Sequence, residues 1–159
     1  MRLTGWRVTA AFVVLCLAVG SIASWATSGA IDGWYRTIAK PSWNPPDWVF
    51  GPVWTVLYVA MGVAAARVWQ AGGGWNGHAR PALTWFFIQL AFNFAWTFCF
   101  FGARSPLLGL IEMVPFWLSI AVTAWLFWRI DRIAGLLFVP YLAWVSFAAV
   151  LNFTIWSMN

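Results

Sequence analysis

Charge is scarce in this chain. Only 8% of its 159 residues are Asp, Glu, Lys or Arg, whereas 63% are hydrophobic. A soluble domain is about one quarter charged, so this composition excludes an ordinary water-facing surface. Cysteine is scarce too: Cys16 and Cys99 are the two present, both inside apolar runs, where thiols are inert packing groups, and no disulfide is expected. The single histidine, His78, lies between apolar runs, and no Cys/His spacing suits zinc or attached haem; no metal site is expected. The nine basic residues are dispersed along the chain, whereas a nucleic-acid footprint clusters on one face. No internal repeat and no separate soluble domain is visible, so residues 1–159 read as one domain.

What is abundant is the long apolar run. Five of them, at about 6–26, 49–69, 82–101, 107–128 and 133–156, each hold about 20 residues, enough as helix to cross a hydrocarbon core of about 30 Å. Inside lipid the backbone must satisfy its own hydrogen bonds, which predicts an all-α integral membrane bundle of five transmembrane helices. Short connections at 102–106 and 129–132 make consecutive helices antiparallel neighbours. The first run has a rival reading: Arg2 and Arg7, an apolar stretch and small residues at 20–24 resemble a cleaved signal peptide. The run continues to Ala26, longer than such segments usually are, and an uncleaved helix is expected.

The bases set an orientation. Arg2, Arg7, Arg67, Arg80, Arg129 and Arg132 fall on the side of the N-terminus, and Arg36, Lys40 and Arg104 on the other. The excess places the N-terminus inside. The first connection, 27–48, is the longest and lies outside; it is the candidate lid, rich in Trp34, Tyr35, Trp43 and Trp48 and stiffened by Pro41, Pro45 and Pro46.

Fifteen tryptophans are a further excess. Trp6, Trp25, Trp69, Trp85, Trp128 and Trp156 sit near run ends, as aromatic belts do; Trp96, Trp117, Trp125 and Trp144 are not so easily explained. Trp54 and Tyr58 are four residues apart, which puts them on one helix face. Gln89, Asn93 and Trp96 form a similar stripe. Amides inside a membrane are costly unless paired, and they commonly tie helices together; for Asn93 that role and ligand contact weigh equally, while Gln89 leans to helix pairing. Ala91, Ala95 and Gly102 lie about 180–240° round the helix from Gln89, a small-residue face suited to a partner helix of a second copy or of the same chain. Glu112 is an intramembrane carboxylate near the start of the fourth helix, where the dipole favours an anion. Asp131, between Arg129 and Arg132, reads as the N-cap of the fifth helix. Trp144, Phe147, Ala148, Leu151 and Asn152 share helical spacing on that helix.

Three stretches carry a resemblance. "WYRTIAKPSWNPPDWVFGPVWTVLYVAMG" (34–62), "QLAFNFAWTFCFFG" (89–102) and "PYLAWVSFAAVLN" (140–152) resemble the successive motifs of the TspO/MBR family, the translocator and tryptophan-rich sensory proteins once called peripheral benzodiazepine receptors. The resemblance spans about residues 5–156. It implies a five-helix bundle, a homodimer, and a pocket for porphyrins and for isoquinoline- or benzodiazepine-type ligands. In that pocket Trp54 and Trp144 would stack on the ligand, with Tyr58, Asn93, Trp96, Phe147 and Ala148 around them and Trp34, Trp43, Phe50 and Gln89 as further candidates. Protoporphyrin IX or a related tetrapyrrole is the expected ligand and no cofactor is required. Charge alone offers Arg36 or Lys40 for its carboxylates. Some family members bind sterols, but Phe153 is followed by no Arg or Lys, which weakens a sterol ligand here. The function expected is a receptor, sensor or carrier in a bacterial cell membrane, the outer membrane being the alternative. A light- and oxygen-dependent porphyrin-degrading enzyme stands beside it, with Trp54 and Trp144 as the reacting groups; no conventional catalytic constellation is present. A structural membrane subunit without ligand is the third reading.

Overall fold

The structure is a computed structural model that describes residues 5–159. Arg2, one of the bases that set the orientation, lies outside the described residues. Helix α1 (Gly5–Asp32) is followed by the short α2 (Trp34–Thr37), then α3 (Asp47–Ala71), α4 (Arg80–Thr97), α5 (Pro106–Ile130), α6 (Arg132–Leu137) and α7 (Val139–Met158). Among the described residues, five helical segments are long and apolar enough to cross a membrane: α1, α3, α4 with its extension to Gly102, α5, and α6 with α7.

Side-chain bonds fix which helix ends lie together. Gln70, near the end of α3, donates to the carbonyl of Gly5 at the start of α1 (3.1 Å). Arg67, one turn earlier, reaches Asp131 between α5 and α6 through two bonds of 3.2 and 2.8 Å. These contacts define one end of the bundle. At the other, Asn152 of α7 donates to the carbonyl of Pro106 at the start of α5 (2.7 Å). There too Asn159 exchanges two bonds of 3.0 Å with the backbone of Ala39. Consecutive spans therefore run up and down, as the short connections require.

At the first end α3 meets α1 along a tightly buried face that includes a run of alanines. Met61, Ala64, Ala65, Ala66 and Val68 of α3 are fully buried. A Cβ on Gly62 would stand 2.5 Å from the Cα of Val13, so α1 and α3 touch backbone to backbone. Without a hydrophobic drive between helices in lipid, such contact is what holds them together.

The helix boundaries depart from expectation in three places. Helix α1 runs on to Asp32, where a loop from residue 27 was expected. Thr27 and Ser28 bond back to the carbonyls of Ala23 and Trp25 (2.9 and 2.8 Å), and no proline intervenes, so nothing stops the helix before Gly33. With α2 added, the unstructured part of that connection shrinks to about 38–46. The fifth span breaks at Phe138 because Pro140 has no amide to offer the preceding turn; α7 starts afresh with that proline in its first turn. Helix α4 ends in a π-turn, Phe98–Gly102, closed by the amide of Ala103 on the carbonyl of Phe98 (2.7 Å). That extra residue rotates the end of the helix by about 100°, so Gly102 leaves the line of Ala91 and Ala95 and the three do not form one straight face.

Candidate functional site

The second end of the bundle is hollow. Between α1, α3, α7 and the last turns of α4 lies a cavity of about 590 Å³. That is within the usual range for sites that enclose small molecules, about 300–1,000 Å³. Its walls are largely aromatic. From α3, Trp54 tilts against Tyr58 (ring centroids 5.6 Å apart), and Phe50 meets Trp144 of α7 edge-on at 5.8 Å. From α4, Trp96 stacks on Phe100 at 5.2 Å. The exposed wall residues mark the opening: Ser21, Ser24, Trp25 and Ser28 on α1, Asp47, Gly51 and Thr55 on α3.

A hydrogen-bonded chain forms the floor. Tyr58 Oη donates to Asn93 Oδ1 at 2.6 Å, Asn93 Nδ2 to Tyr141 Oη at 2.9 Å, and Tyr141 Oη to Gln89 Oε1 at 3.0 Å. Three helices are thereby joined through buried polar groups, each of which would be costly unpaired. Asn93 thus ties α3 to α7, and it also lines the cavity. Gln89 only ties, since it is fully buried and off the cavity wall. The one wall glycine that matters here is Gly20, where a Cβ would run into the ring of Tyr58.

The lid is pinned over this end. Tyr35 of α2 is buried against Phe101 and Phe100 (5.4 and 6.1 Å) and donates to Asn44 Oδ1 at 3.3 Å. Its phenol is pushed up to about 12 by burial and then by the nearby charge of Asp47, against the Asn44 bond, which lowers it. Lys40 lies over the same ring at 4.7 Å and donates to the carbonyls of Tyr35 (2.6 Å) and Ile38 (3.2 Å). Arg36 pairs with Asp32 at 2.9 Å. The two bases that charge alone offered for ligand carboxylates are therefore both engaged within the chain, and neither lines the cavity.

The structure brings Phe50, Trp54, Tyr58, Asn93, Trp96, Trp144 and Ala148 onto one wall. It leaves Trp34, Trp43, Phe147 and Gln89 behind that wall. Trp34 packs edge-on against Phe100 (5.7 Å), and Trp43 against Phe147 (6.0 Å). Residues that the sequence did not offer for the pocket also line the cavity: Tyr35, Asp47, Thr97, and the α1 stripe of Gly20, Ser21, Ser24 and Ser28. The helical spacing of those small polar residues was the available signal; it resembled a cleavage region instead. Two wall residues also carry buried polar atoms without a protein partner, Trp96 Nε1 and Asn152 Oδ1.

Elsewhere, two expectations change. Trp125 is 57% exposed with Arg129 over its ring at 5.3 Å, so it is a surface residue like those near the run ends. Glu112 has both oxygens buried without a partner and does not line the cavity. It is the seventh residue of α5, beyond the first turn in which a helix dipole acts, and nothing in the structure explains it. Asp131 caps α6 through the Ala134 amide at 2.9 Å, but its ionic partner is Arg67 rather than its sequence neighbours.

A five-span helical bundle with an aromatic, lidded cavity at one end defines an integral membrane protein built around a small-molecule-sized hollow. Sequence comparison makes this specific. The TspO/MBR family model matches residues 12–157, and the chain belongs to that family. It is 49% identical over 146 residues to the tryptophan-rich protein TspO of Chlorobaculum tepidum, covering 91% of each chain. It is 41% identical over 157 residues to the tryptophan-rich sensory protein of Cereibacter sphaeroides, covering 97% of this chain and 92% of that one. The translocator protein of Sus scrofa is 36% identical over 154 residues, with 97% and 91% covered.

Proposed function

We propose that this protein is a membrane receptor or carrier for flat aromatic ligands of the tetrapyrrole type, with isoquinoline- and benzodiazepine-like molecules as further ligands. The observation that carries this is the cavity of about 590 Å³ with Trp54, Tyr58, Trp96 and Trp144 on its wall. Indole faces stack on extended π-systems, and apolar walls with a few placed polar groups orient such ligands. The names of the relatives, a sensory protein and a translocator protein, agree with a protein that holds a small molecule and passes it, or news of it, onward. The bound state needs no cofactor. The excess of arginine at the closed end favours placing that end, with the N-terminus, inside a cell membrane and the lid outside. A homodimer through the Ala91 and Ala95 side of α4 is the assembly this reading carries.

The test is quenching of tryptophan fluorescence by protoporphyrin IX in purified protein. Trp54→Ala and Trp144→Ala should each weaken binding by at least about tenfold, from lost stacking and lost apolar contact. Undiminished affinity in both variants removes the cavity from the function.

A further inference from the structure

The cavity wall is unevenly charged. Among the described residues, Asp47 is the one charged side chain that lines it. It stands exposed at the opening, as the first residue of α3. The start of α3 is the wall element best suited to welcome an anion, because a helix N-terminus carries partial positive charge and free amides. Asp47 already occupies that position with its own carboxylate. The nearby cations stand off the wall: Arg36 pairs with Asp32, and Lys40 is turned to two carbonyls and the Tyr35 ring, so neither lines the cavity. The hydroxyls, indoles and amides of the remaining wall carry no formal charge.

We infer that Asp47 sets the charge preference of this site, so that it favours flat aromatic ligands whose edge at the opening is neutral or cationic over those whose edge carries carboxylates. The inference rests on the binding role proposed for the cavity and narrows it. Two unit charges a few ångströms apart near a surface repel appreciably even in a polar medium, and a tetrapyrrole diacid brings its charges to whichever end faces water. Asp47, the first residue of the α3 span, is the charged wall group at that end of the membrane segment. An esterified or otherwise neutral edge avoids the repulsion, and an ammonium edge is attracted instead.

The experiment titrates the protein, in uncharged lipid nanodiscs, with protoporphyrin IX and with its dimethyl ester, and compares the ratio of the two dissociation constants across variants. Differences in how the two pigments enter lipid cancel when that ratio is compared between proteins. Wild type should favour the ester. Asp47→Asn should shift the ratio toward the diacid by about three- to tenfold, Asp47→Lys should shift it further, and Asp47→Glu should keep the wild-type ratio. High salt should move wild type toward Asp47→Asn, because an exposed charge is screened; a merely structural change would leave that salt response alone. The same ratio in all four proteins, with both pigments bound, overturns the role of Asp47 and leaves the binding role standing. No quenching of wild type by either pigment overturns both.

Discussion

Where α1 meets α3, the two ends of the bundle are built with opposite side-chain choices. In α3 the half near Gln70 offers Gly62 and Ala64–Ala66, and α1 closes onto it until backbones touch. The half near Asp47 offers Phe50, Trp54 and Tyr58, and the same two helices stand far enough apart to leave about 590 Å³ between them and their neighbours. Polar groups divide in the same way. At the closed end they pair across helices, as Arg67 does with Asp131; at the hollow end some are left facing a space. In lipid, where no hydrophobic force draws helices together, what makes an end solid is how fully side chains fill it: behind the close α1–α3 contact, Phe12, Phe86, Phe127 and Phe138 interlock at the closed end.

The largest effect expected from breaking this contrast is at the closed end. Gly62→Val places new atoms against the Val13 backbone and should cost about 3 kcal/mol, the upper end for overpacking. Thermal unfolding in detergent will show it as a lowered midpoint or lost folded yield. Trp54→Ala at the hollow end should do the reverse: a loss of pigment affinity of about tenfold or more with a much smaller change in melting.

Asp131→Asn sharpens the contrast more finely. Burial raises the Asp131 carboxyl pKa, but the Arg67 bond and the amides of Ala134 and Ile133 outweigh it and hold the group below its ordinary value. A depressed folded pKa gives stability that is complete above the unfolded value of about 3.9 and is lost as pH falls through the folded one. Wild type should therefore lose this contribution on acidification below about pH 4, while Asp131→Asn, which keeps a capping side chain, should not. Because Arg67 is 39% exposed, the difference at neutral pH should stay under about 1 kcal/mol. Melting at pH 3 and pH 6 for both proteins measures it. Smallest of all, Asn159→Ala should leave melting unchanged and speed amide exchange at Ala39 by about fivefold, the loss of one exposed bond, seen by hydrogen exchange.

Much of the fold was legible because a membrane allows few solutions: apolar runs of about 20 residues have to be helices, and their number and order can be read off directly. The departures lie where local chemistry beats the run. Pro140 sits inside an apolar stretch and its missing amide breaks the fifth span, while the hydroxyls at Thr27 and Ser28 look like loop chemistry and instead bond back along α1. The π-turn after Thr97 has no mark in a string of Phe and Cys, and it is what displaces Gly102. For the site, i,i+4 spacing put Trp54 beside Tyr58, and i,i+3 spacing put Asn93 in line with Trp96. Spacing along one helix says nothing of the depth of the neighbour, however. Gln89 shares Asn93's face and still ends behind the wall, under Tyr141, while Asp47 looked like one charge in a proline-rich turn.

The floor of the cavity has a direction. From Tyr58 through Asn93 and Tyr141 to Gln89, each group passes its hydrogen to the next, away from the hollow. A guest that captured the Tyr58 hydrogen for itself would leave Asn93 Oδ1 buried without a donor, a penalty of about 1–3 kcal/mol. On the binding role proposed above, the floor would resist molecules that press a strong acceptor downward and tolerate those that present only a ring face to it, so that the deepest part of the cavity would filter guests by what they do not ask of it.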